Sequence, residues 1–140
     1  GGQPSVRKML DGFIRRLEAD GKICGAPVAH AAGWIPAEPL RNAVHGKIML
    51  VGDAAGHTHS ITGSGIFAAV TCGKLAGKYA AAAVAGNDMT LLRGYDREWQ
   101  DLFGDTLARA YRRREQMEAR WSQFDTIVKR CWVAYREYYV

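Results

Sequence analysis

The chain has 140 residues, 48% of them apolar, and a formal net charge of +5. This composition is that of one ordinary globular domain and excludes a disordered or low-complexity protein. No apolar run approaches the ~20 residues that a membrane-spanning helix needs. The three cysteines have the spacing of neither a zinc site nor a disulfide framework. We therefore expect a protein of the reducing cytoplasm, and residues 1–4 lack the character of a secretory signal.

The first predicted element is an amphipathic helix, whose apolar residues recur at helical spacing over residues 6–17. Ser5 is its predicted N-cap and Gly21 is its predicted stop. Small and apolar residues then alternate over residues 23–33, which predicts one or two strands. A further apolar run at residues 48–51 predicts a short buried strand.

The rest of the chain has the pattern of helices. Residues 63–85 are dominated by small side chains and predict a long helix that packs closely on its neighbours. An amphipathic helix is predicted over residues 89–103, and after Gly104 the pattern stays helical almost to the end. The predicted fold class is a mostly helical α/β (α+β) chain, in which short strands lead into a ligand-binding loop and helix.

A seam of apolar residues alternates at spacings of four and three in the last part of the chain: Met117, Trp121, Phe124, Val128, Cys131, Tyr135 and Tyr138. Such a seam has to be covered, and packing within the whole protein is the ordinary outcome. A second copy of the chain in a homo-oligomer and a peripheral membrane contact are the alternatives, because arginines flank the aromatic residues. No nucleic-acid-binding pattern accompanies these arginines, so nucleic acid is not a predicted partner.

The most informative stretch joins the predicted strand at residues 48–51 to the helix that follows. An acidic turn is followed, after a linker, by a second cluster of small residues. Glycine lets the backbone take positive φ and approach a ligand closely, and the free N–H groups of a helix start favour an anion. Asp53 directly follows the strand and is placed to accept hydrogen bonds from ligand hydroxyls. The candidate binding residues are Gly52, Asp53, Ala54, Ala55, Gly56, Thr62, Gly63, Ser64, Gly65 and Ile66.

Other chemistries fit the sequence less well. His57 and His59 lie in the linker without further ligands around them, so no metal site is predicted. A role for one of them as a proton donor stays open beside the alternative of an exposed loop position. The Gly-Ser-Gly cluster at residues 63–65 is too short for a nucleophile elbow, and no Walker A sequence is present. Catalytic residues therefore stay unassigned.

The acidic turn Gly52–Gly56, its linker and the cluster Gly63–Ile66 resemble the second FAD motif of the p-hydroxybenzoate hydroxylase-like flavoproteins. Gly33–Pro36 upstream and Gly94–Trp99 downstream are similar to residues of the geranylgeranyl reductase and FixC-type dehydrogenase branch. Two features depart from that branch: the linker lacks its usual proline, and Ser64 stands where a glutamate is usual.

The resemblance implies that FAD binds here. Asp53 would meet the ribityl chain or phosphate oxygens, and the helix start Gly63–Ile66 would lie at the pyrimidine edge of the flavin. No Gly-x-Gly-x-x-Gly sequence follows a strand, so the chain is expected to hold half of a cofactor site. The resemblance implies a missing N-terminal dinucleotide-binding half. The predicted regions are a substrate-domain remnant at 1–45, the FAD motif at 46–86 and a helical region at 87–140.

By this resemblance, the predicted function is the C-terminal part of an FAD-dependent oxidoreductase that reduces a double bond of an isoprenoid or other apolar substrate. NAD(P)H or a ferredoxin-like protein is the implied electron donor. The chain alone is expected to be inactive. Two alternatives stay open. One is an FAD-dependent monooxygenase that hydroxylates an aromatic substrate, and the other is a non-catalytic module that dimerises or contacts a membrane.

Overall fold

The computed structural model describes residues 5–140, so the prediction for residues 1–4 lies outside the described residues. The chain divides into two units, one that ends at Gly33 and one that runs from Trp34 to Val140. Across residues 5–140, no helix is both long enough and apolar enough to cross a membrane.

The first unit contains helix α1, Val6–Ala19, none of whose residues is buried. The Ser5 hydroxyl accepts a hydrogen bond from the Lys8 N–H at 3.4 Å, and Gly21 follows the helix with a φ of +64°. The predicted helix and its ends are therefore confirmed. The strands predicted over residues 23–33 are wrong, because this run forms no helix or strand. A strand needs a partner for its backbone groups, and no described residue pairs with this run.

The second unit begins with a small antiparallel hairpin of β1, Val44–His45, and β2, Ile48–Met49. In its register, Val44 lies opposite Met49. The predicted buried strand is wrong in length and in burial, since β2 has 2 residues and Ile48 is 64% exposed. β1 is the only partner of β2 among residues 5–140, so one side of the strand stays uncovered there.

Helix α2, Ile66–Ala85, follows the predicted ligand-binding loop. It begins later than predicted because Gly63 has a φ of +70° and Gly65 is the non-helical N-cap. Its buried residues are all small: Ala68, Cys72, Ala76 and Ala83. The close packing that the small residues predict is confirmed, and α2 packs on the next helix, α3.

A continuous helical path runs through the next segment. It comprises a 3₁₀ turn at Met89–Leu92, α3 at Arg93–Trp99, a π-helical turn at Gln100–Gly104 and α4 at Asp105–Ala119. The helical segments predicted before and after Gly104 are confirmed, but the predicted end of one helix at this glycine is wrong. Gly104 has helical φ and ψ of −53° and −51°, so its lack of a side chain does not interrupt the path.

The last part of the chain folds back on itself. The helix breaks at Arg120, and a 3₁₀ turn at Trp121–Gln123 leads into α5, Phe124–Cys131. A turn at residues 133–134, between the extended residues Trp132 and Tyr135, then leads to a final 3₁₀ turn at Arg136–Tyr139. The continuous helical seam predicted from residue 117 to residue 138 is therefore wrong.

Hydrogen bonds from Arg113 and packing on α4 account for this reversal of the chain. The Arg113 side chain donates hydrogen bonds to the main-chain oxygens of Tyr138 at 3.3 Å and Val140 at 2.9 Å. Helix α5 packs on α4, and the seam residues Cys131 and Tyr138 are buried. Part of the seam is thus covered by the chain's own α4, as packing within the protein predicts.

The core of the second unit joins the predicted ligand-binding loop to the helices. Its buried residues are Ala43, Ala55, Cys72, Ala76, Tyr95, Trp99 and Leu107. The Tyr95 hydroxyl donates a hydrogen bond to the Leu50 carbonyl at 2.9 Å. An Asp96 carboxylate oxygen accepts hydrogen bonds from the Ala43 N–H at 2.7 Å and from the Trp99 indole N–H at 3.1 Å. These bonds tie the segment that precedes the loop to α3.

Candidate functional site

The acidic turn is a single 3₁₀ turn, Gly52–Ala55, closed by Gly56. Gly52 and Gly56 have φ of +64° and +70°, as their glycine identity predicts. A Cβ at Gly56 would lie 2.5 Å from the Glu38 carbonyl oxygen and 2.7 Å from Pro39 Cα. Glycine is therefore required at position 56 both by its conformation and by the connector, the segment at Glu38 and Pro39 that packs against it.

The turn and the start of α2 meet around Asp53, which is exposed. The hydroxyl of the buried Thr58 donates a hydrogen bond to an Asp53 carboxylate oxygen. A Cβ at Gly65 would lie 2.8 Å from that hydroxyl oxygen and 3.5 Å from the same carboxylate oxygen. The structure thus brings together two predicted binding residues, Asp53 and Gly65, and adds Thr58, which the sequence analysis missed.

A cavity of about 380 Å³ lies at the start of α2. Three of the predicted binding residues line it: Thr62, Ser64 and Gly65. The N-cap of α2 has no side-chain hydrogen bond, so side chains leave the first N–H groups of the helix uncapped. Much of the rest of the lining comes from two regions that the sequence analysis did not connect with the site, α4 with the turn before it and the end of the chain from Val133 to Tyr139.

Part of the lining of this cavity is apolar. Phe67 from α2, Phe103 and Leu107 from around α4, and Val133 contribute carbon surface. The rings of Phe67 and Phe103 lie edge to face with centroids 5.9 Å apart. Aromatic and aliphatic side chains of this kind favour an apolar or aromatic ligand body.

Polar groups also line the cavity, among them His59 and Tyr138. His59 Nδ1 lies 3.3 Å from the Thr62 N–H, and His59 Nε2 lies 3.0 Å from the Tyr138 hydroxyl oxygen. A backbone N–H can only donate, so Nδ1 accepts and the proton of the neutral ring is on Nε2. Burial lowers the pKa of His59, with its own backbone hydrogen bond opposing, so the neutral ring is favoured at pH 7.

Arg109 is the cationic side chain in this lining, and it is half-buried. Its charge affects the pKa of Tyr138. Burial raises the pKa of that phenol, and the Arg109 guanidinium opposes the rise. Among residues 5–140 the ion pairs are Lys78–Glu98 and Arg114–Glu118, and Arg109 belongs to neither. Its charge is therefore not matched by a carboxylate within the described part of the chain.

His57 is part of the core and not of the cavity. It is fully buried, and its ring lies against Trp99 with centroids 4.6 Å apart. Its Nδ1 accepts from the Gly52 N–H at 3.3 Å, and its Nε2 has no partner among residues 5–140. Burial lowers the pKa of His57, with Asp96 opposing, so the ring is neutral at pH 7. Of the two linker histidines, only His59 lies where a ligand in the cavity could meet it.

A second, more polar groove of about 460 Å³ lies beside β1 and α3. His45, Arg93 and Arg97 line it, and none of the predicted binding residues does. Over residues 5–140, no three His, Cys, Asp or Glu side chains form a group that could hold a metal ion. The cavity at the start of α2 is therefore the one associated with the predicted motif.

Comparison with known proteins identifies the family. Digeranylgeranylglycerophospholipid reductase 1 of Methanococcoides burtonii is 37% identical over 110 residues, which cover 76% of this chain and 26% of that protein. Digeranylgeranylglycerophospholipid reductase of Methanothrix thermoacetophila is 33% identical over 105 residues, or 73% of this chain and 26% of the relative. That from Methanocaldococcus jannaschii is 33% identical over 66% of this chain and 25% of the relative. The chain belongs to the geranylgeranyl reductase family.

This membership confirms the predicted resemblance to the geranylgeranyl reductase branch. The chain spans about a quarter of the length of the curated relatives that it matches. No protein-family model and no solved structure matches it. The relatives are named as reductases, which does not favour the monooxygenase alternative.

Proposed function

We propose that this member of the geranylgeranyl reductase family is the flavin-contacting part of an FAD-dependent reductase, whose substrate is an isoprenoid or another apolar molecule with a carbon–carbon double bond. The observation that carries the proposal is the meeting of Asp53, Thr58 and Gly65 beside the cavity at the start of α2. When bound, FAD would supply the hydride for the reduction, and NAD(P)H or a ferredoxin-like protein would reduce it again.

The residues present fit this cofactor. Asp53 is an exposed acceptor whose carboxylate the Thr58 hydroxyl orients, which suits hydrogen bonds from ribityl hydroxyls. The uncapped start of α2 offers N–H donors and the positive end of the helix dipole to an anionic or carbonyl edge. Gly65 keeps this start free of a side chain that would collide with Thr58. The apolar residues in the lining of the cavity suit an aromatic ring.

The site in this chain is proposed as half of a cofactor site. It has no glycine-rich dinucleotide fingerprint, which would hold the pyrophosphate and adenosine. Beside the exposed Lys74 and Lys78, α2 exposes large apolar side chains, with Ile66 at 84%, Phe67 at 75% and Val84 at 73% exposure. A dinucleotide-binding half of the parent protein is the partner proposed for this surface, since large exposed apolar areas mark interfaces.

A titration of the chain with FAD, followed by quenching of flavin fluorescence, tests the proposal. We expect binding, and Asp53→Ala is expected to weaken it by about tenfold or more, since a charge-assisted hydrogen bond contributes about 1.5–3 kcal/mol. Asp101→Ala removes an exposed carboxylate outside the site and is the matched control. Absence of binding at millimolar FAD, or equal affinity in both variants, would contradict the assignment of the site.

A further inference from the structure

Two of the polar side chains that line the cavity, Tyr138 and Arg109, have hydrogen bonds to donate. Because His59 Nε2 carries the ring proton, it donates to the Tyr138 oxygen across 3.0 Å. The Tyr138 hydroxyl then has its own hydrogen left to donate, and no other described residue accepts it. Burial raises the pKa of Tyr138 and the Arg109 guanidinium opposes the rise, so the phenol keeps this hydrogen at neutral pH.

Arg109 adds a second donor group to the same lining. A guanidinium has only N–H donors and stays charged at all ordinary pH values. It is half-buried beside apolar side chains such as Leu107, without a carboxylate partner among residues 5–140. A partly desolvated charge of this kind gains most from a ligand that brings a negative or strongly polar acceptor.

The donors of Arg109 and Tyr138 favour a ligand edge that carries hydrogen-bond acceptors. A ligand group that can only donate hydrogen bonds finds no partner at Arg109 or at the Tyr138 hydroxyl, whereas a carbonyl oxygen or an anionic nitrogen finds two. The oxidised flavin ring has such an acceptor edge at N1 and the C2 carbonyl, and reduction by two electrons and one proton places a negative charge there. The uncapped start of α2 lies at the same cavity and favours the same charge.

We propose that Arg109, with the Tyr138 hydroxyl positioned by His59, binds the N1 and C2 carbonyl edge of the flavin and stabilises its reduced, anionic form. This inference rests on the proposed function, because it takes FAD as the ligand of the cavity. Arg109 and Tyr138 lie outside the FAD motif in the sequence, so the helical C-terminal region becomes part of the cofactor site.

The test compares the affinity of the chain for oxidised FAD with its affinity for FAD reduced anaerobically by excess dithionite, which supplies the electrons. Arg109→Gln is expected to lose about tenfold more affinity for the reduced than for the oxidised form. This ratio lowers the midpoint potential of bound FAD by about 30 mV, the value of a tenfold change for a two-electron couple. Arg109→Lys is expected to recover most of the loss, because it keeps the charge.

Arg112→Gln is the matched control, since Arg112 lies on the same helix, is exposed and does not line the cavity. Tyr138→Phe is expected to have an effect of the same sign but smaller, about fivefold, with Tyr135→Phe as its control. Equal losses for both redox forms in Arg109→Gln and in Tyr138→Phe would overturn the inference while leaving FAD binding in place. No binding of either form by the unaltered chain would overturn the proposed function and the inference together. If Arg109→Gln fails to fold, the same comparison of the two redox forms in Tyr138→Phe decides whether the inference holds.

Discussion

Thr58 donates a hydrogen bond from its hydroxyl to the carboxylate of Asp53 in the preceding turn. The carboxylate is exposed and the threonine is buried, so the bond connects a potential ligand-binding group to the rigid part of the loop. Gly65 lies against both side chains at the start of α2. The orientation of Asp53 therefore depends on a residue of the linker.

Removal of this hydroxyl should weaken FAD binding. Thr58→Val keeps the shape of the side chain, and we expect about a five- to tenfold loss of FAD affinity, since the bond to a charged group contributes about 1.5 kcal/mol or more. The fluorescence titration measures it, with the exposed Thr126→Val as control. An unchanged affinity would show that Asp53 is oriented by other groups.

The Gly56 position should tolerate no side chain. Gly56→Ala combines a positive φ with a Cβ 2.5 Å from the Glu38 carbonyl oxygen, and we expect a loss of about 3 kcal/mol or more in the free energy of unfolding. Gly46→Ala has a similar φ of +61° but meets nothing within 4 Å, and it should cost only about 1 kcal/mol. Urea denaturation measures both, and equal losses would contradict the close approach of the connector.

The two linker histidines predict a loss of stability in mild acid. The pKa of His57 is lowered from its ordinary 6.5, mainly by burial, so the unfolded chain binds the proton more readily than the folded chain. The stabilisation is thus complete above pH 6.5 and decreases as the pH falls below that value. His59 contributes with the same sign. The midpoint of denaturation should therefore fall as the pH is lowered from 7.5 to about 5.

The double variant His57→Gln, His59→Gln separates this effect from general acid destabilisation. Its stability at pH 7.5 is lower, but the slope of stability against pH should be clearly smaller than in the unaltered chain. His30→Gln, a change at an exposed histidine, should leave the slope as it is. An identical slope in the double variant would show that carboxylates account for the acid sensitivity.

Arg113 should hold the C-terminal turn against α4. It donates to the main-chain oxygens of Tyr138 and Val140, and Arg113→Ala removes both bonds. We expect amide hydrogens of residues 136–140 to exchange at least about fivefold faster, because each bond contributes about 1 kcal/mol. Arg112→Ala, on the same helix, is the control. Equal exchange in both variants would mean that the burial of Tyr138 alone fixes the turn.

Much of the local structure could be predicted from the sequence. Helix α1 follows from its apolar spacing with Ser5 and Gly21 at its ends, and α2 follows from its run of small residues. The acidic turn follows from glycines that reach positive φ at Gly52 and Gly56. These features depend on contacts between residues close in the chain, which sequence patterns record directly.

The features that the sequence analysis missed depend on distant contacts. Arg109 lines the cavity from α4, and Tyr138 reaches it because the chain reverses after Arg120. No periodicity records where such contacts place a residue. The strand predicted over residues 23–33 fails for the opposite reason, since its pattern is present but its partner is not among the described residues. Thr58 had no visible signal, because a hydroxyl in a linker is ordinary until the turn brings it to Asp53.

The measurement that tests the central claim most directly is the map of FAD binding on the amide resonances of the isotopically labelled chain. We predict that FAD shifts the amides of Thr62 and of Gly65–Ala68 at the start of α2, and those of Phe103 and Tyr138 across the cavity. The amides beside the second groove, at His45 and Arg97, should stay unchanged. Shifts confined to that groove, or no shifts at millimolar FAD, would contradict the assignment of the cavity as a flavin site.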